Sequence, residues 1–126
     1  MRLGLFLAAA ILCAMPAWAS DFLAAIEDIP LMDGFTETVE PVVFESGFGR
    51  LVRTTATGQA SPDAIERFYI AALPALGWTR VGDLSRFVFE RETERLTIGI
   101  REPRSSRPVE VRFELVVKLA PSALPE

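Results

Sequence analysis

The sequence predicts an α+β domain in which an antiparallel β-sheet carries one long helix on one face, and three observations predict it. From Val109 to Lys118 apolar and polar residues alternate, with Val109, Val111, Phe113, Leu115 and Val117 set against Glu110, Arg112, Glu114 and Lys118. Strict alternation marks an antiparallel strand with one wet and one covered face. Next, Ile65, Phe68, Tyr69, Ala72, Leu73 and Leu76 recur at offsets of 0, 3, 4, 7, 8 and 11, the stripe of a helix buried on a core. Shorter alternating runs, separated by turn residues, lie on both sides of that helix, so a single helix of about sixteen residues is the cover for the apolar face of the sheet.

The chain opens on an export signal. Arg2 and the amino terminus form a positive n-region and Leu3 to Ala14 is an uncharged apolar run. Pro16 then precedes Ala17-Trp18-Ala19, a small-residue cut site. The apolar run is short of the roughly 20 residues of a spanning helix, so cleavage at Ala19/Ser20 is expected, with no permanent membrane span afterwards. Cys13, the only cysteine, follows Leu12 rather than the small residue of a lipoprotein signal, and is expected to leave with the leader. The mature chain then reaches the periplasm, or is secreted, without a disulfide, and its stability rests on packing. The organisation read from the sequence is a signal peptide at 1–19, an acidic N-terminal arm at 20–41, an α+β domain at 42–119 and a loose C-terminal tail at 120–126.

Charge divides the mature chain. Without Arg2 it holds 12 basic against 17 acidic residues, a net charge of −5, which argues against non-specific nucleic-acid binding. Asp21, Glu27, Asp28, Asp33, Glu37, Glu40 and Glu45 precede the first base of the mature chain, Arg50. The arm is therefore either solvated or docked on a basic surface, with Leu31 and Met32 beside Pro30 as apolar anchors. That surface belongs either to a partner or to the protein itself, where Arg101, Arg104 and Arg107 are the candidates.

The remaining elements follow in order. Asp21 to Asp28 reads as two helical turns with Phe22, Ala25 and Ile26 on one side, ended by Ile29-Pro30. Leu31 to Glu40 is an extended or looped entry segment with a turn at Asp33-Gly34. Val42 to Ser46, the turn Gly47-Phe48-Gly49, and Arg50 to Thr57 make a hairpin. Ser61 is the N-cap of the helix, Pro62 its first residue and Gly77 its stop, while Pro74 should bend the last turn. Trp78 to Val81, Arg86 to Arg91 and Arg95 to Arg101 then lead as strands into the long strand from Val109.

The pieces Asp28-Ile29-Pro30-Leu31-Met32 and Phe68-Tyr69…Leu73-Pro74-Ala75-Leu76-Gly77-Trp78 resemble those of small uncharacterised periplasmic proteins of alphaproteobacteria. The resemblance covers most of the mature chain and implies a compartment and a size, with no known activity. The succession of hairpin, helix ending in Leu-Gly-Trp, and meander is also similar to the helix-grip modules of outer-membrane assembly lipoproteins. That likeness is one of fold, which by itself does not assign function.

Little in the residues points to catalysis. There is no histidine and the mature chain has no cysteine, which removes the commonest general base, the usual zinc and copper sites, and Ser-His-Asp chemistry. No catalytic residue, metal or cofactor is expected, and phosphate-binding glycine patterns are absent. Tyr69, Pro74 and Trp78 either line a pocket for an apolar ligand or seal the helix onto the sheet. Arg101, Arg104 and Arg107 either hold phosphate or anionic lipid, or sit in a solvated connection. The expected function is a non-enzymatic interaction or envelope-assembly module with an envelope protein as partner; the alternative is a carrier of a small apolar ligand. The oligomeric state is left open.

Overall fold

The computed structural model describes residues 21–38, 40–83, 86–102 and 107–119. The expected leader with Cys13 and its expected cut at Ala19/Ser20, Arg104 and the tail at 120–126 lie outside the described residues. Along the chain come β1 (Thr36–Glu37), β2 (Val42–Ser46), β3 (Gly49–Gly58), α1 (Pro62–Ala75), β4 (Thr79–Val81), β5 (Val88–Arg91), β6 (Glu94–Arg101) and β7 (Val109–Lys118). They form an α+β fold of one helix and one antiparallel sheet, ordered β1-β3-β7-β6-β5-β4, with β2 also paired to β3. The ladder between β3 and β7 runs from Gly49↔Lys118 to Gly58↔Val109. β1 and β2 share the other edge of β3, β2 at Val42↔Arg53 to Ser46↔Gly49 and β1 at Thr36↔Thr57. Because α1 joins β3 to β4, and β7, β6 and β5 lie between those strands, the helix crosses the sheet from one side to the other.

Local chemistry sets the ends of the helix. Ser61 stands in the extended region (φ −72°, ψ 150°), and its Oγ accepts the Ala64 N–H at 3.2 Å, satisfying a donor that the first turn leaves open. Pro74 falls in the last turn, where its missing N–H leaves the helix unbroken up to Ala75. The Gly77 and Trp78 amides then close the end, donating to Pro74 O and Leu73 O at 3.1 Å each. Gly77 has φ +91°, a left-handed conformation that selects glycine.

The buried helix stripe is shorter than the sequence pattern suggests. Ile65, Tyr69 and Leu73 are buried and Phe68 is partly buried, but Leu76 is 38% exposed. Leu76 is the C-cap (φ −100°, ψ 10°), so it leaves the helical spiral before its side chain can turn inward. Opposite the stripe lie Val52 and Ala56 of β3, Val111 and Phe113 of β7, Leu96 and Ile98 of β6, and Phe89 of β5, all buried.

The N-terminal segment differs most from expectation. Asp21 to Asp28 is not helical. It forms a tight loop whose ends meet in a bridge between Phe22 and Pro30, with Leu23 N donating to Ile29 O at 2.9 Å and Leu31 N to Asp21 O at 2.6 Å. The loop buries Leu23, Ile26 and Ile29 and exposes Phe22, a different set from the face a helix would present. Three apolar side chains spaced by three can be buried equally by a closed loop, and Pro30 terminates the helical alternative. Phe35 is buried as well, its ring lying over Gly58, where a Cβ would come within 2.7 Å of it.

Candidate functional site

Tyr69 and Trp78 are core residues. Tyr69 is 1% exposed; its hydroxyl donates to Pro30 O at 2.9 Å, and its ring meets Phe68 and Phe113 edge-on at 4.9 and 5.5 Å. Burial raises its pKa, opposed by a hydrogen bond with the Met32 backbone. Trp78 is 2% exposed and lies beneath the Arg91 guanidinium, 4.3 Å from the ring centroid. Its Nε1–H is buried without an acceptor among the described residues. Pro74 points outward, so the three residues do not come together as one pocket lining.

Arg91, which the sequence does not single out, ties the N-terminal segment to the sheet. It donates to Asp28 and, at 3.0 Å, to Glu94, and its Nη1 reaches Leu76 O at 3.1 Å. Burial lowers its pKa, but the hydrogen bonds and charges of Asp28 and Glu94 outweigh this and raise it. Glu37 makes a second tie: one carboxylate oxygen accepts the Ala24 N–H at 2.5 Å, the other the hydroxyl of buried Thr54 at 2.8 Å. Asp28 therefore pairs with Arg91, which is not one of the arginines proposed for the arm. Arg101 ends β6 opposite Glu110, and Arg107 is exposed just before β7.

The sheet's other face is polar over most of its area. Arg53 pairs with Glu114 at 2.8 Å, Arg112 with Glu110 at 3.6 Å, and Arg95 with Glu90. Such exposed pairs contribute about 0–1 kcal/mol each and keep a face hydrated. A shallow depression over Gly99 is flanked by Arg101, Glu110 and Arg112.

The hairpin is where apolar surface is left open. Every residue of β2 is exposed, with Val42 at 56% and Phe44 at 67%, and Phe48 in the turn reaches 88%. Since Cα partners share a face, Phe44 lies beside Leu51, which lies beside Val116. These residues, with Phe48, line a groove along the hairpin, and Leu119 is exposed near its end, its N–H donating to Phe48 O at 3.1 Å. The signal in the sequence is the unbroken run Val42-Val43-Phe44, which a half-covered strand would have interrupted with a polar residue.

No group of three His, Cys, Asp or Glu that could hold a metal ion occurs among the described residues, and no helix among them is long and apolar enough to cross a membrane. No protein-family model matches the chain, and no curated protein or solved structure matches it significantly.

Proposed function

We propose that this chain is exported to the periplasm and acts there as a non-enzymatic interaction or envelope-assembly module, with the β2–β3 hairpin as its contact surface. The observation that carries this reading is the exposure of Val42 and Phe44 on a strand whose outer edge no described residue pairs, and of Phe48 in the adjoining turn. Contiguous exposed apolar surface rimmed by polar groups is a mark of binding surfaces, and an open strand edge offers backbone donors and acceptors to a partner. The leader at 1–19 supports the compartment. The likeness to helix-grip modules of outer-membrane assembly lipoproteins, drawn from the succession of hairpin, helix and meander, supports the envelope setting. The carrier alternative has less support, because Tyr69 and Trp78 are taken up by Pro30, Phe68, Phe113 and Arg91.

The test uses the full chain, leader included, carrying a photo-crosslinking residue at Phe44 or, as control, at exposed Arg67 on α1. The periplasmic fraction should contain a chain beginning at Ser20, with a discrete protein adduct from position 44 and none from position 67. Retention in the cytoplasm, or identical adduct patterns from both positions, would overturn the reading.

A further inference from the structure

The hairpin's free edge is narrow, and its limits can be read from the pairing. In an antiparallel sheet the backbone groups of successive residues point to alternate sides. Phe48 O bonds Leu119 and Thr55 O bonds Thr38 N. On β3, then, even-numbered residues face β7 and odd-numbered residues face β1 and β2. Gly49, Leu51 and Arg53 therefore bond Ser46, Phe44 and Val42, and the outward backbone groups of β2 are those of Val43 and Glu45. Pro41 has no N–H to offer on that side, and the turn at Gly47-Phe48 ends the strand at the other.

We propose that the occupant of this edge is a second copy of the chain, with two β2 strands pairing antiparallel about a two-fold axis at Phe44. This deepens the interaction reading above and rests on it. Of the symmetric registers that join outward groups to outward groups, this one sets Val43 against Glu45′ and Glu45 against Val43′, so all four donors and all four acceptors are used. The Gly47 N–H also falls opposite the Pro41′ carbonyl, which makes the missing proline donor harmless. An axis at Glu45 would put the two Glu45 carboxylates face to face, which is destabilising. An axis at Val43 would set Glu45 against Pro41′, where one bond of each pair is lost. In the Phe44 register each Glu45 faces a valine and keeps its own Arg50, 3.5 Å away, and the two phenyl rings meet on the outer face beside Leu51.

The remaining strand edges do not compete. β4 has three residues and its central Arg80 lies over the Phe87 ring at 5.1 Å, while β1 has two. Short edges with charged residues resist pairing. Joining β2 to β2′ thus closes a dimer instead of starting a filament. Two such short strands and their phenyl rings bury less than the roughly 1,600 Å² of a standard interface, so the dimer is weak and concentration-dependent.

Sedimentation equilibrium of the purified mature chain tests this, with Phe44→Glu and Phe44→Lys alongside. The unsubstituted chain should shift from monomer to dimer mass as concentration rises through the micromolar range. Each variant alone should stay monomeric, because like charges then face each other at the axis, and an equimolar mixture of the two should recover the dimer. Circular dichroism and melting of each variant alone exclude misfolding as the cause of a monomer. A chain that stays monomeric up to millimolar concentration overturns self-pairing, as does a Phe44→Glu variant that associates like the original. A monomer whose position 44 still crosslinks a different envelope protein defeats self-pairing alone; a monomer with no adduct defeats the interaction reading as well.

Discussion

Strand β3 passes through two environments, and the contrast between them separates what holds this protein together from what it leaves exposed. From Val52 onward, Val52, Thr54, Ala56 and Gly58 are buried on the face covered by α1 and the N-terminal segment. At its start Gly49 to Leu51 run out beyond that cover and pair with a β2 that is exposed along its whole length. Both parts have complete backbone ladders. Only the covered part has side chains packed on both sides of the inner face, so stability should reside there and the hairpin should tolerate substitution.

The largest effect expected from this contrast comes from Ile29→Ala. Ile29 is fully buried although it belongs to the acidic leading segment, and cavity creation at such a site costs about 2–5 kcal/mol. Chemical denaturation measures it; a loss near zero would mean that the segment is not part of the core and that the covered part has been drawn too large.

Tyr69 gives a smaller effect with a distinctive pH signature. Its pKa is raised in the folded protein, so below the ordinary tyrosine value of about 10 both states are neutral and the stability is fully present. Above it the unfolded chain releases a proton that the folded chain retains, and stability falls by up to about 1.4 kcal/mol per pH unit. The chain has one tyrosine, so Tyr69→Phe should remove that alkaline slope, while costing about 1 kcal/mol at neutral pH for the hydrogen bond to Pro30. An unchanged slope in the variant would assign the alkaline loss to other groups and remove Tyr69 from the account.

The smallest effect should come from Phe44→Ser. An exposed site of this kind is expected to change stability by no more than about 0.5 kcal/mol, whereas self-association through the hairpin should be lost. A cost of several kcal/mol would show that Phe44 belongs to the core and erase the distinction between the two parts.

How much of this was legible beforehand follows from the range of each interaction. The helix from Pro62, the hairpin and the long strand from Val109 are written as local periodicity, and they stand within one or two residues of where the pattern puts them. Asp21 to Asp28 reads as a helix because Phe22, Ala25 and Ile26 satisfy helical spacing, while the bonds that close the loop join residues six to ten apart, a pattern that helical periodicity does not signal. Leu76 follows the stripe in sequence, but the chain leaves the helix before reaching it. The Arg91–Asp28 pair joins positions 63 residues apart, which no local pattern signals. At the candidate site, Tyr69 and Trp78 are buried core residues, and their partners Pro30 and Arg91 are distant in sequence, so no local pattern points to them. Val42-Val43-Phe44 was readable as a strand; its exposure depends on where α1 and the leading segment stop, a tertiary fact.

The most direct test of the division between covered body and open edge is amide hydrogen exchange in dilute solution. Leu23, Ile29 and Leu31, whose amides donate within the leading segment, should exchange slowly, at rates approaching those of Val111 and Phe113 in β7. Val43 and Glu45, whose amides point away from the sheet, should exchange almost as fast as an unstructured chain. Fast exchange at Leu23 and Ile29, or protection of Val43 and Glu45 at concentrations where the chain is monomeric, would contradict the account.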